Sequence, residues 1–153
     1  MAVATRNVIW NIEFLNTYTD KEKDILGKYS SSLFTLNTFY TANKSIVGRN
    51  DVSESEHFLL SFWTLVAKHM KLWQELQNRE ITKVDLRENF IATQSIVIQA
   101  FGRVGSYLYS HQNEMEKTMA DIEKKIGAEM QDNGICVRLV KMDVLLPIKK
   151  QHY

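Results

Sequence analysis

The stretch from Lys28 to Gly48, KYSSSLFTLNTFYTANKSIVG, most constrains what this chain can fold into. Its apolar residues recur at steps of three, four and seven, with two more beside them: Leu33, Leu36, Tyr40, Val47, Phe39 and Ile46. A helix with this pattern turns one broad apolar face toward a core. We therefore predict a core helix here, with a serine of the run Ser30 to Ser32 as its N-terminal cap.

Similar periodicity along the rest of the chain predicts an all-α protein, an irregular bundle of about five helices. The opening residues, 2–16, fit a strand or a helix, and we favour a helix. The capping-box patterns Thr19 to Glu22 and Ser53 to Glu56 each predict a helix start. The remaining helices are predicted at 54–77, from Thr82 to about 108, and at about 113–130.

Two glycines, Gly102 and Gly105, lie inside the predicted helix that follows Thr82. Each glycine costs about 1 kcal/mol relative to alanine in a helix interior. The GRVG sequence therefore predicts a close helix crossing or a local bend. Its spacing matches no phosphate-binding loop.

The composition changes near the C-terminus. ICVRLVKMDVLL is rich in β-prone residues, and Pro147 follows it. We predict a helical domain at 1–132 and a tail at 133–153 that is either a short strand or irregular.

The composition favours one globular domain, and the net charge is too small to attract nucleic acid over the whole surface. Hydrophobic residues make up 44% and charged residues 24% of the 153 residues, which is ordinary for a globular protein. Lys and Arg number 19 against 18 Asp and Glu, a formal charge of +1. Any contact with DNA therefore needs a local basic patch.

The single cysteine, Cys136, excludes an internal disulfide and a multi-cysteine metal site. The first residues, MAVATRNVIW, lack the pattern of a signal peptide, and no apolar stretch is long enough to span a bilayer. We expect a cytoplasmic protein without a membrane partner.

No catalytic motif in the sequence is complete. Glu54 to His57 is one Glu-x-x-His, but a di-iron bundle needs a second copy and more glutamates. Helical nucleases of the HEPN kind carry Arg, four to six residues and then His; Arg49 to His57 and Arg103 to His111 are each one residue too long. We therefore expect neither an enzyme nor a cofactor, and a small helical nuclease stays a lesser alternative.

The best candidates for contact with DNA flank the first core helix. Lys28, Lys44 and Arg49 could reach phosphates, and the hydroxyls of Ser30 and Ser31 could add hydrogen bonds. Charges at helix ends also serve capping and solubility, which is the more frequent use of such residues.

The sequence SLFTLNTFYTANK, preceded by a basic residue and a serine run, resembles the DndB and DGQHR-domain family of bacterial DNA sulfur-modification proteins. The resemblance extends from about Phe14 to about Met130, through FWTLVAKHMKLW, while the DGQHR tetrapeptide is absent. The chain is thus similar to the C-terminal helical part of such a protein.

The resemblance implies a role in DNA phosphorothioation and in transcriptional control of the genes that perform it, through binding of DNA or protein. The implied partners are DNA, other sulfur-modification proteins, a second copy of the chain or a separate N-terminal partner. The alternative is a stand-alone helical interaction module, for which the methionine stripe of the last helix, Met115 and Met119, is the motivation.

Overall fold

The structure, a computed structural model, describes residues 1–23, 25–27, 30–90 and 92–127, with backbone alone for 89 and 122–127. Helices dominate it, which confirms the mainly α prediction. The helices of the described part are α1 (Ala2–Trp10), α2 (Glu13–Tyr18), α3 (Leu36–Val47), α4 (Val52–His69), α5 (Lys71–Gln77), α6 (Lys83–Asn89), α7 (Ser95–Tyr109) and α8 (Met115–Gly127). A 3₁₀ turn at Gln112–Glu114 precedes α8.

Two short strands, β1 (Thr19–Asp20) and β2 (Phe34–Thr35), pair in parallel and close the loop between α2 and α3. The helix start predicted at Thr19 to Glu22 is therefore wrong. The Asp20 carboxylate accepts the backbone amides of Glu22 and Lys23, both at 2.9 Å, and this turns the chain away from the strand.

The core is centred on the crossing of α3 and α7. A Cβ built on Gly102 would lie 3.2 Å from the Cα and carbonyl oxygen of Ala42, and one on Gly105 would lie 2.8 Å from Cγ1 of Ile46. The two helices can approach this closely because neither glycine carries a side chain. The close crossing predicted from GRVG is confirmed.

A buried polar network ties three helices together beside this crossing. The Asn43 amide donates to the Thr5 hydroxyl at 3.0 Å, and its oxygen accepts the Trp63 indole N–H at 2.7 Å. All three residues are fully buried. Because buried polar groups must be paired, this network fixes α1, α3 and α4 in one arrangement.

Two predicted caps differ from the observed ones. Thr35, rather than a serine of the 30–32 run, caps α3 and accepts the Thr38 amide. Asp51, rather than Ser53, caps α4, and its carboxylate accepts the Ser53 amide at 2.8 Å. The cap predicted at Thr82 is confirmed, since its hydroxyl accepts the Asp85 amide.

Two long predicted helices are each divided in the structure. The helix predicted at 54–77 breaks at Met70, whose backbone is extended, into α4 and α5. The helix predicted after Thr82 breaks between α6 and α7. The Ala92 carbonyl accepts the buried Trp73 indole N–H at 3.1 Å, so this long-range bond takes the place of a helical one.

The last described helix, α8, packs its apolar side inward. Met119 is 1% exposed and belongs to the core, and Met115 packs against that core. The predicted tail, 133–153, lies outside the described residues. In the described part, no helix has both the length and the apolar content that crossing a bilayer requires.

Candidate functional site

Of the residues predicted to contact DNA, the four that the structure describes do not form one patch. Ser30 and Ser31 precede β2 at the N-terminal end of α3, whereas Lys44 and Arg49 lie at its C-terminal end. A 12-residue helix is about 18 Å long, so the two groups are separated by the length of α3. Lys28 lies outside the described residues.

The serine run is held by α6 through its backbone. Arg87 donates to the carbonyl oxygens of Ser30 and Ser32 at 2.8 and 2.7 Å, and the Lys83 ammonium donates to that of Ser31 at 3.3 Å. The Ser30 hydroxyl accepts the Ser32 amide at 3.1 Å. The bonds from Lys83 and Arg87 attach α6 to the backbone of the serine run.

Lys44 and Arg49 are exposed at the C-terminal end of α3. The Lys44 ammonium lies 5.4 Å from the ring centroid of Tyr40, one turn earlier, in a cation–π contact. Tyr40 in turn lines a cavity between α1 and α3, so Lys44 lies at the rim of that cavity.

This cavity, the α1–α3 cleft, has a volume of about 350 Å³. Three segments line it: the first half of α1, the turn after β1 and the first half of α3. Its lining residues are Ala2, Thr5, Arg6, Lys21, Glu22, Lys23, Leu36, Asn37 and Tyr40.

Each wall of the cleft is held by a separate interaction. The Thr5–Asn43 bond joins α1 to α3. The β1–β2 pairing and the Asp20 turn hold Lys21 and Lys23 against them, and the Lys21 ammonium also donates to the Asn16 carbonyl at 3.1 Å. These interactions therefore hold the segments that carry Arg6, Lys21 and Lys23 in fixed positions around the cleft.

The charge of the cleft is mainly positive. Among the described residues, Arg6, Lys21 and Lys23 line it together with one carboxylate, Glu22, and Lys44 adds a cation at the rim. The neighbouring Asp20 stays ionised, because hydrogen bonds from the Lys23 and Glu22 amides lower the pKa of its carboxyl. A concave cationic surface of this kind attracts phosphate groups.

Of these four cations, only Lys44 was predicted from the sequence, whereas Arg6, Lys21 and Lys23 were not. They come from two segments that are distant from α3 in sequence, and only the β1–β2 pairing and the Thr5–Asn43 bond bring them to it. The available signal was the basic spacing in KEK at 21–23 together with Arg6.

A slightly larger cavity, about 380 Å³, lies beside α2, α4 and α5. Among the described residues, its polar lining consists mostly of neutral amides, among them Asn11, Gln74 and Gln77, with one cation, Lys68, and one carboxylate, Glu13. Without a group of like charges, it offers no comparable attraction for a charged ligand.

The histidines with described side chains lie apart. His57 lines a small cavity between α1 and α4, and the Nε2 of His69 lies 3.8 Å from the Glu116 carboxylate of α8. The His111 ring stacks on Tyr107 and contacts the Tyr107 carbonyl. In the part of the chain that the structure describes, no three His, Cys, Asp or Glu side chains could together hold a metal ion.

Fold and site together define a mainly α protein whose most distinctive surface is a cationic cleft built by helices and a short loop. A family model for DndB, described as DNA-sulfur modification-associated, matches residues 1–127. The chain belongs to the DndB family, as its sequence predicted, and is associated with DNA sulfur modification. No curated protein and no solved structure matches the chain.

Proposed function

We propose that this protein binds the backbone of DNA through the α1–α3 cleft and thereby takes part in transcriptional control of the sulfur-modification genes. The observation that carries the proposal is the convergence of Arg6, Lys21 and Lys23 in one concave surface, with Lys44 at its rim. Membership of the DndB family supports DNA as the polyanion. The partners would be DNA and the other proteins of the modification system.

The cleft is suited to phosphates rather than to base edges. Arginine and lysine side chains supply most contacts to the DNA backbone, and such contacts fix position without reading sequence. Asn37 and Tyr40 add neutral polar groups to the same lining. Sequence preference, where it exists, would come from a partner or from the shape of the duplex.

The salt dependence of binding tests the cleft. The affinity of the full chain for a labelled duplex, measured by fluorescence anisotropy, should fall linearly on a log–log plot as salt rises. The triple variant Arg6→Gln, Lys21→Gln and Lys23→Gln should make that slope shallower by about 2.7, roughly 0.9 for each lost phosphate contact.

A matched control removes three exposed lysines away from the cleft: Lys68→Gln, Lys71→Gln and Lys117→Gln. It has the same change in net charge and should leave the slope within about 0.5 of the wild type, since each lost phosphate contact is worth roughly 0.9. Equal slopes for the two triple variants would contradict a role for the cleft.

Regulation is tested in cells. Transcripts of the sulfur-modification genes should change when the cleft variant replaces the wild type and should stay unchanged with the control variant. Identical transcript levels in all three strains would contradict the regulatory part of the proposal while leaving DNA binding to the salt experiment.

A further inference from the structure

Trp10 is the one tryptophan that the fold leaves open to solvent. Its side chain is 54% exposed, whereas Trp63 and Trp73 are buried at 0% and 1%. A tryptophan is largely buried in most proteins, because its ring removes more apolar area from water than any other side chain. The exposed indole therefore marks a contact surface on α1.

The position of this indole relates it to the cleft. Trp10 follows Arg6 by one helical turn, and Val3, 72% exposed, lies on the same outer side of α1. Residues four apart are neighbours on a helix surface. The indole thus lies beside a cation that lines the cleft, at the edge of the cationic surface.

We propose that the cleft takes single-stranded DNA, with the Trp10 indole stacked on an unpaired base and Arg6, Lys21 and Lys23 on the adjoining phosphates. This inference rests on the proposed function and names the form of DNA that the cleft prefers. Surfaces that combine a cationic groove with an aromatic platform bind single strands, because every base has a π-face. Inside a duplex those faces are covered by neighbouring base pairs.

A protein partner could also use an exposed tryptophan. The charges of the adjoining cleft favour nucleic acid, since its described lining includes three cations and one carboxylate. A basic protein surface would be repelled there. An acidic peptide remains the competing occupant, and the experiment below separates it from a base.

The burial of Trp63 and Trp73 makes the experiment direct, because an aqueous collisional quencher reaches Trp10 alone among the three tryptophans. Oligothymidine added to the full chain should quench the accessible emission and protect it from iodide. The Trp10→Phe variant should lose that accessible emission and retain most of the binding, since a phenyl ring also stacks.

Affinity then measures the contribution of the ring. The Trp10→Ala variant should bind labelled oligothymidine about tenfold more weakly, while its affinity for a hairpin duplex changes less than about twofold. Ile96→Ala, which trims an exposed apolar side chain on α7, should change neither affinity.

The possible failures are distinguishable. If the triple-glutamine cleft variant loses DNA binding but Trp10→Ala binds oligothymidine as the wild type does, stacking is overturned and the proposed function stands. If neither single strand nor duplex binds the wild-type chain, both proposals are overturned. If polyglutamate protects the indole from acrylamide, a neutral quencher, and oligothymidine does not, the surface takes an acidic protein and the nucleic-acid proposal is overturned.

Discussion

The Asn43 side chain donates one hydrogen bond and accepts another, and the two bonds join α1, α3 and α4. The other buried residues of α3 are apolar. Replacing Asn43 with alanine would leave the Trp63 indole N–H without an acceptor and the Thr5 hydroxyl without its donor. Leaving a buried polar group unsatisfied costs about 1 to 3 kcal/mol.

We therefore expect Asn43→Ala to lower the free energy of unfolding by about 2 to 5 kcal/mol, from two such groups and a small cavity. Urea unfolding followed by tryptophan fluorescence measures it. Asn113→Ala, at an exposed asparagine in the 3₁₀ turn, is the control and should be near neutral. Equal effects of the two substitutions would exclude a structural role for the network.

Protonation of Asp51, the N-terminal cap of α4, should make the stability of the protein depend on pH. Hydrogen bonds from the Ser53 side chain and amide and from the Glu54 amide lower the pKa of the Asp51 carboxyl below 3.8, the usual value. The folded protein therefore favours the carboxylate more than the unfolded chain does. The stabilisation from this cap is fully present when the pH is above the Asp51 pKa of the unfolded chain. It is lost as the pH falls through the lower Asp51 pKa of the folded protein.

Stability should accordingly fall as pH drops below about 4. Asp51→Asn keeps an acceptor at the cap but removes the titration, so its unfolding midpoint should depend less steeply on pH in this range. Parallel curves for the variant and the wild type, from thermal unfolding at pH 2.5 to 7, would remove Asp51 from the acid response.

At the scale of helices, the crossing of α3 and α7 depends on Gly105. Alanine there would gain about 1 kcal/mol in helix propensity. Its Cβ would also lie 2.8 and 2.9 Å from two carbons of Ile46 and 3.1 Å from a ring carbon of Phe62. Overpacking of this kind costs about 1 to 3 kcal/mol, so a net loss of about 1 kcal/mol is expected.

The pairing with Ile46 can be isolated by a double-mutant cycle. Ile46→Val removes Cδ1, one of the two carbons that crowd the added methyl group, so the double variant should be more stable than the sum of the single effects allows. Gly27→Ala, where no atom lies within 4 Å of the added Cβ, is the control and should be near neutral. Strict additivity would show that Ile46 does not oppose the alanine.

The helices that sequence predicted well are those specified by local periodicity. The pattern of 33–47 and the GRVG pair are properties of one segment and the face it buries. The breaks at Met70 and Ala92 could not be predicted in this way. The second of these breaks coincides with a contact across the fold, in which the Ala92 carbonyl accepts the Trp73 indole N–H.

The candidate site was only partly predictable for the same reason. Lys44 belongs to the helix that the sequence identified, and its exposure follows from the helical pattern. Arg6, Lys21 and Lys23 join it through strand pairing and the Thr5–Asn43 bond, neither of which has a local sequence signal. The serine run, in contrast, serves to attach α6.

Across the whole molecule, one apolar cluster includes residues from α1, at Val8, to α8, at Met119. Elements that share a core unfold together in most domains of this size. We expect the urea transition by far-ultraviolet circular dichroism to coincide with that by emission of the buried tryptophans. Separate midpoints would indicate that an outer helix unfolds independently.

Binding should also be indifferent to the sulfur mark on the DNA. A phosphorothioate carries the same charge as a phosphate, and the cleft offers cations rather than a shaped pocket for sulfur. Affinities for duplexes with and without the modification should agree within about twofold at equal salt. A large preference for modified DNA would require a recognition surface other than the cleft.

The parallel pairing of Thr19 and Asp20 with Phe34 and Thr35 joins the two ends of the segment between them. A loop closed at its base can change length or composition at little entropic cost to the remaining fold. The part of this segment that carries Lys21 and Lys23 can therefore vary among homologues, provided that the backbone of Ser30 to Ser32, which attaches α6, is kept. Natural variation or engineered grafting at this position would retune the ligand preference while the scaffold is inherited unchanged.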